Sequence, residues 1–398
     1  MDNTTQRFFA PCPRGLEAVL GDELRELGAR QVTITAGGAQ FEGSWTVCYR
    51  ANLESRIASR ILWRAGETSY RTEADIYHAA HKLAWHGWFT PRRTIKIKVS
   101  AQACPLKSLD FVTLRIKDAV CDRLRLSAGR RPDVDTRSPD VLIAAFLDRD
   151  RCTFYLDTSG EPLFKRGWRQ ETAEAPLREN LAAGILRLAG WPGHRAMFDP
   201  MCGAGTLAIE AAWMAQRIAP GSKRRFAFEK LLNFDERSWR RLRDSGIARQ
   251  LPACPVPIYA ADSDKRALAS AAANVNAAGV SASVQLSHAD VLDQQPPASA
   301  GLLISNPPYG HRVGEADLLA AFYPRLGDWL KQSFAGWTAY FFTGDARFPK
   351  LLRLSPARRI PLFNGPIECR LYEFRIISGS HRRPHRAKAL QPDDPSSL

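Results

Sequence analysis

Apolar positions change rhythm along the chain. From Pro13 to Leu27 they fall at Leu16, Val19, Leu20, Leu24 and Leu27, the spacing of one helix face, and Gly28 stands where a helix stops. QVTIT (31–35) alternates as a half-buried strand, a Gly-Gly pair follows, and AQFEGS (39–44) reads as its partner, so the chain opens with a small α/β unit. Leu53, Ile57, Ile61 and Leu62 then fit one face of a further helix. In TIKIKVS (94–100) Ile95, Ile97 and Val99 point one way and Lys96 and Lys98 the other, which puts a basic row on the open face of a strand. Phe111 to Leu126 predicts an amphipathic helix with a basic polar face, and VLIAAFL (141–147) and RCTFYLD (151–157) predict two strands around the turn Asp148-Arg149-Asp150.

Past residue 160 strands and helices alternate. AMFDPMC (196–202), PIYAAD (257–262), SVQLSHAD (283–290) and GLLISNPP (301–308) are apolar strands, separated by helical patterns at 177–189, 206–218, 264–278 and 316–334. That alternation implies a parallel sheet covered by helices on both faces. WTAYFFTG (337–344) adds a fifth strand, and RRIPLFNG (358–365) and CRLYEFRI (369–376) flank an Asn364-Gly365 turn, so an antiparallel hairpin closes the sheet. An insertion at 219–256, rich in Trp, Phe and Arg, reads either as a cap over apolar surface or as a wall of the substrate cleft. Residues 380–398 are polar and Pro-rich and are expected to be a disordered tail.

Composition narrows the class. Of 398 residues 45% are hydrophobic and 24% charged, as in an ordinary globular chain. No apolar run approaches the roughly 18–20 residues of a membrane helix, and MDNTTQRFFA lacks the form of a signal peptide, so a cytoplasmic protein with no membrane partner is expected. The eight cysteines show no paired spacing, which argues for free thiols in a reducing compartment and against a metal site. Net charge is +15, and residues 91–131 hold eleven Lys or Arg against Asp110, Asp118 and Asp122. Such a stretch is either a solvated face or a phosphate-binding surface, for which Arg92, Arg93, Lys96, Lys98 and Lys107 are the candidates.

The chemistry concentrates at strand ends. In Phe198-Asp199-Pro200-Met201-Cys202-Gly203-Ala204-Gly205-Thr206 a strand passes into a helix, Gly203 and Gly205 let backbone approach a ligand, and Thr206 is placed to cap the helix. No Gly-Lys-Ser/Thr follows, so phosphate cradling is not the obvious use. Asp199, Asp262 and Asp290 end three successive strands and so share one crevice. They suit an ammonium, a ribose diol and a ring amino group in turn; helix capping is the plainer alternative for Asp262. A ligand with ribose, an amino-bearing base and a cation but no phosphate fits S-adenosylmethionine better than NAD.

Asn306-Pro307-Pro308-Tyr309 follows the fourth strand. Two prolines remove backbone donors and leave acceptors, the Asn306 side-chain oxygen and the Pro307 carbonyl. Those acceptors suit an NH2 group: holding both hydrogens turns the nitrogen lone pair toward an incoming methyl. Tyr309 offers a ring for an extruded base to stack on.

These residues resemble the class I methyltransferases with an N-P-P-Y motif. FKRGWR (164–169), APLRENLAAGIL (175–186), FDPMCGAGTLAIEAA (198–212) and NPPYGHR (306–312), with PCPRGLEAVLGDEL (11–24), RIASRILWRA (56–65) and TIKIKVSA (94–101), are similar to the bacterial large-subunit rRNA guanine-N2 methyltransferases whose chains begin with a THUMP RNA-binding domain. The resemblance implies an α/β chain with a ferredoxin-like segment at 7–48, a THUMP domain at 49–160 and a Rossmann-like methyltransferase domain at 161–379. It also implies Asp199, Gly203, Gly205, Asp262 and Asp290 on S-adenosylmethionine, Asn306 and Pro307 on the target amine, and 23S rRNA or a large-subunit precursor as the partner. Some members carry a second methyltransferase domain; this chain stops near the end of the first, so one activity is expected. Ala260-Ala261-Asp262 stands where members often have Gly-Ser-Asp, which leaves the carboxylate in place. The alternatives are a tRNA guanine-N2 methyltransferase, a DNA adenine-N6 methyltransferase, against which the basic N-terminal unit argues, and an RNA-binding assembly factor without catalysis, against which the intact loop argues.

Overall fold

The computed structural model describes residues 5–170, 177–191, 193–308 and 315–377. The expected tail at 380–398 and Tyr309 lie outside the described residues.

The N-terminal part builds one sheet. In chain order come β1 (Gln6–Pro11), α1 (Glu17–Glu26), β2 (Arg30–Thr35), β3 (Gly38–Gly43), α2 (Trp45–Glu54), β4 (Leu62–Ser69), α3 (Glu73–Lys82), β5 (Ile95–Ala101), α4 (Leu109–Ala128), β6 (Val141–Leu147) and β7 (Arg151–Asp157). The strands lie in the order β2-β3-β1-β4-β7-β6-β5, with β5 on an edge and parallel to β6. Phe8 pairs with Trp63 and Phe9 with Leu62, so the strands before and after α2 share a continuous sheet. Local chemistry starts α3 and α4 and stops α4. Thr72 and Asp75 form a capping box on α3, the Ser108 hydroxyl accepts the Phe111 N–H of α4, and Gly129 at φ +70° ends α4.

The helix expected through Leu53, Ile57, Ile61 and Leu62 is not formed. Helix α2 ends at Glu54, and Leu62 opens β4. Glu23 of α1 intercepts the chain: its buried carboxylate accepts the Arg56 N–H at 3.0 Å and the Ile57 N–H at 3.2 Å, donors that a continuing helix would have used itself. Ile57 and Ile61 are still fully buried, so the apolar spacing marked burial correctly and misreported the backbone.

The C-terminal part alternates as expected. It runs α5 (Glu179–Leu188), β8 (Met197–Asp199), α6 (Thr206–Ala215), α7 (Glu236–Ala248), β9 (Ile258–Asp262), α8 (Lys265–Ala278), β10 (Val284–His288), β11 (Leu302–Ser305), α9 (Glu315–Ser333), β12 (Thr338–Thr343), α10 (Phe348–Leu352), β13 (Arg358–Asn364) and β14 (Ile367–Arg375). Strand order is β10-β9-β8-β11-β12-β14-β13; β8 to β12 are parallel and β14 is antiparallel to both neighbours. The closing hairpin turns through Gly365-Pro366, with Gly365 at φ +62° and Asn364 paired to Ile367, one residue later than expected.

The aromatics of the insertion cap apolar surface rather than face a cleft. Phe226, Phe228 and Trp239 are buried, and the Phe228 ring lies 4.5 Å from that of Tyr49 on α2. A buried ion pair of the C-terminal part is joined to the N-terminal part through Arg56. Arg166 and Glu210 of α6, 1% and 0% exposed, meet at 3.1 Å, and Arg166 also donates to the Arg56 carbonyl at 2.7 Å. Arg56 in turn donates to the Trp213 and Ile218 carbonyls. Glu210→Ala strands Arg166 in the interior and is expected to cost about 3–5 kcal/mol. Denaturant midpoints measure it, and a loss under about 1 kcal/mol would show that the network carries little.

Candidate active site

From β8 the chain lays β9 and β10 to one side and later β11 and β12 to the other, so the strand order reverses between β8 and β11. Open α/β sheets form their ligand crevice at such a point, beyond the carboxyl ends of the strands. Asp199 and Asp262 are the last residues of β8 and β9, Asp290 lies just past β10, and Asn306 directly follows β11. The structure therefore brings the described members of both predicted groups to one edge.

The loop between β8 and α6 is held by its neighbour strand. The Cys202 N–H donates to the Ala261 carbonyl at 2.9 Å, and the Gly203 N–H to Asp262 Oδ2 at 2.8 Å. Gly203 has φ +53°, and a Cβ there would meet nothing within 4 Å, so bare backbone faces open space. Gly205, at φ +80°, lets α6 pack on α8: a Cβ would come 3.3 Å from that of Ala271. Thr206 does not cap α6. Gly205 takes the N-cap in a left-handed conformation, Thr206 is the first helical residue, and its hydroxyl accepts from Arg169 Nη2 at 3.0 Å.

The three carboxylates differ. Asp199 is 1% exposed; it accepts the Ser305 hydroxyl at 2.7 Å and the Met201 N–H at 3.3 Å. Burial pushes its carboxyl up to about 7, those two hydrogen bonds lower it, and the nearby Asp262 charge adds to the rise. Asp262 also accepts the Asp264 N–H at 2.9 Å, whereas Asp264 accepts the Arg266 N–H and so caps α8. The capping alternative thus falls to Asp264. Asp290 is exposed and accepts the Leu292 N–H at 2.9 Å. A carboxylate can accept about four hydrogen bonds, so both Asp262 and Asp290 retain capacity for a ligand.

Asn306 carries the sharpest feature. Its Oδ1 is shielded from solvent and has no hydrogen-bond partner among the described residues. An unmet buried acceptor costs about 1–3 kcal/mol, so a donor is expected to arrive there. The segment is pinned on both sides: Ser305 to Asp199, and the Pro308 carbonyl by the Tyr323 hydroxyl of α9 at 2.8 Å. Pro307 is buried and Pro308 exposed.

Sequence reasoning missed Ser305, Tyr323, Asn274 and Arg169. Asn274 takes the Gln170 N–H on its Oδ1 at 2.9 Å and gives its Nδ2 to the Ala204 carbonyl at 3.1 Å, joining the glycine loop to the segment before α5. A fully buried Asn in an alanine-rich helix was its trace in the sequence. Arg169 pairs with Glu179 at 2.8 Å, keeps Nη1 unpartnered among the described residues, and lines a cavity of about 700 Å³ between its own loop and the β13–β14 turn.

The basic candidates separate. Lys96 and Lys98 line one cavity, and Arg93 lies 3.9 Å from Asp140 in its wall. Arg92 is exposed just before β5, and Lys107 is exposed beyond its other end. Other cations of the stretch are occupied locally: Arg115 over the Tyr77 ring, Lys117 with Asp118, Arg131 with Asp122. Among the described residues no helix is long and apolar enough to cross a membrane, and no cluster of His, Cys, Asp or Glu could hold a metal ion.

Known proteins match along the length of the chain. The family model for the RMKL-like methyltransferase domain matches residues 166–373, that for the RlmL ferredoxin-like domain 7–62, and that for the THUMP domain 70–157. A ribosomal RNA large subunit methyltransferase K/L of Aeromonas hydrophila is 38% identical over 395 residues, 94% of this chain and 55% of its own. The chain spans about half the length of the K/L relatives it matches, such as that of Syntrophotalea carbinolica, of which it covers 53% at 40% identity. A putative RNA methyltransferase of Synechocystis is 35% identical, over 94% of this chain and 97% of its own. Among solved structures, a putative methyltransferase complexed with SAH superposes with TM-score 0.87 at 29% identity, covering 96% of this chain and all of that one. A predicted N6-adenine-specific DNA methylase from Listeria monocytogenes does so with TM-score 0.86 at 26% identity, covering 94% and 97%.

Proposed function

The chain belongs to the RMKL-like methyltransferase family, and from that premise we propose that it methylates the exocyclic N2 amino group of a guanine in 23S rRNA, using S-adenosylmethionine. The observation that carries the chemistry is the Asn306 Oδ1 at the switch point, unpartnered among the described residues, next in the chain to Ser305, which bonds a buried carboxyl with no cation partner among those residues. In this reading Asp199 faces the ammonium of the cofactor, the bare Gly203–Gly205 backbone lies along it, Asp262 takes the ribose hydroxyls and Asp290 the adenine amino group. The donor set fits: an acidic, phosphate-averse crevice with open space at Gly203. When bound, the cofactor supplies an electrophilic methyl on a sulfonium.

The chain's own part is orientation. Asn306 and the Pro307 carbonyl each accept one hydrogen of the target amine, which directs its lone pair outward and favours a pyramidal nitrogen. Tyr309 and Pro308 then border the base. No strong general base is needed, because the methylated ammonium is itself acidic. Residues 161–379 would carry catalysis, while 7–48 and 49–160 would hold RNA through Arg92, Arg93, Lys96, Lys98 and Lys107.

RNA is favoured over DNA by the ferredoxin-like and THUMP matches together with the basic edge strand, and rRNA over tRNA by the K/L relatives. The test offers labelled cofactor with separate 23S rRNA, 16S rRNA, tRNA and DNA. The expected product is N2-methylguanosine in 23S rRNA alone; label in adenine of DNA, or in tRNA only, overturns the assignment.

A further inference from the structure

We propose that a cavity between the edge of the N-terminal sheet and the insertion is a binding site for one backbone phosphate of the RNA, completed by Arg137 and Arg225. It rests on the reading that the substrate is RNA. The cavity holds about 300 Å³, the low end for a small-ligand site and room for a phosphate with its sugar. Its lining includes Lys96 and Lys98 on β5, the loop 137–140 before β6, Arg225 and Lys230 of the insertion, and Arg60 and Glu161.

Charge accounting shows what is left over. Arg60 is bound to Asp157 and the Gly160 carbonyl. Of the two carboxylates in the wall, Asp140 is neutralised by Lys230 at 2.7 Å, and Glu161 by Lys165. Lys96 donates to the Thr136 carbonyl at 2.7 Å, and its charge is shared with nearby Asp135, whose carboxyl it helps to lower. The side chains of Lys98, Arg137 and Arg225 have no partner among the described residues, although the Arg137 N–H donates to Asp135. Arg115, Lys117 and Arg131 of the same basic stretch are paired by contrast, whereas Lys98, Arg137 and Arg225 are exposed at the cavity. Three positive charges without a carboxylate partner, from β5, the loop before β6 and the insertion, line one space, an arrangement that an anion relieves. Base reading is not the use: Phe226, the one aromatic in the lining, is 2% exposed and stacks on Phe228. The chemistry is that of a phosphodiester.

The site has a consequence for the reaction. Lys98 and Arg137 lie within the THUMP match, and Arg225 within the methyltransferase match. A phosphate held by both sets the distance along the RNA between the strand gripped at β5 and the base presented to Asn306. The insertion is then a spacer: its buried aromatics anchor it on Tyr49, and Arg224 ties it to the Pro162 carbonyl at 2.6 Å, which fixes the backbone from which Arg225 extends.

The test measures affinity for a 23S rRNA transcript across a salt series, with wild type, R137E/R225E and R137K/R225K. The charge-reversed variant is expected to bind about tenfold more weakly at low salt, with a slope of log affinity against log salt reduced by about one. Its KM for RNA should rise while kcat, cofactor affinity and melting temperature hold. The lysine variant should keep most of the affinity, which excludes a folding effect. Equal affinity and slope for wild type and R137E/R225E overturns the phosphate site alone. A wild-type protein whose RNA binding is absent or salt-independent overturns the RNA reading itself.

Discussion

Asn306→Ala is expected to cut methyl transfer by about 10²–10³-fold and to leave cofactor affinity within about twofold. The alanine variant holds the target amine by one acceptor instead of two, so its lone pair is no longer aimed. The fold should tolerate the change, because the segment is pinned elsewhere: Ser305 donates to Asp199, and Tyr323 to the Pro308 carbonyl. Removing a buried acceptor that has no partner among the described residues should even raise the stability of the ligand-free protein by up to about 1 kcal/mol. Asn306→Asp keeps an acceptor oxygen at the same place and should retain more activity than the alanine variant. Turnover of Asn306→Ala within a few-fold of wild type, at saturating cofactor, would remove Asn306 from catalysis. A fall in thermal stability would instead make it a structural residue.

Much of this site was legible in the sequence because its parts obey local rules. The strand–helix alternation after residue 160 follows from apolar periodicity, and the strand-end positions of Asp199, Asp262 and Asn306 follow from that alternation. Thr206 was misread because a hydroxyl next to a glycine looks like a cap; the left-handed Gly205 took that position, and Arg169 claimed the hydroxyl. The residues that escaped detection act over distance. Glu23 ends α2 from 33 residues away in sequence, Ser305 reaches Asp199 across 106, and Asn274 joins two loops from the middle of a helix. No pattern in a short window encodes such contacts. The basic stretch at 91–131 shows the same limit: its excess charge was plain, but which cations remained free depended on Asp118, Asp122 and Tyr77 folding back against it.

The second large effect concerns Asp199 and pH. Its carboxyl sits at about 7 chiefly because it is buried, against an ordinary value of 3.8. A folded-state value above the unfolded one means that the protonated form favours folding. That contribution is complete below pH 3.8 and is lost as pH rises through about 7, so the ligand-free protein should lose stability across this window. A cationic ligand reverses the preference. An ammonium beside Asp199 favours the ionised form, so cofactor binding should expel a proton below pH 7 and tighten as pH rises. One unit below its pKa the carboxyl is ionised in roughly a tenth of molecules, and affinity at pH 6 should be about tenfold weaker than at pH 8. Asp199→Asn keeps a group that can accept from Ser305 but cannot ionise. Calorimetry on that variant should show a flat pH profile and, at pH 8, affinity lowered by about 2–3 kcal/mol, the loss expected when one partner of a buried charge pair is removed. Wild-type affinity with the same pH slope in Asp199→Asn would mean that the ammonium lies elsewhere. A flat profile already in the wild type would mean that the cofactor meets this carboxyl in its neutral form, and the cation reading of the crevice would have to be given up.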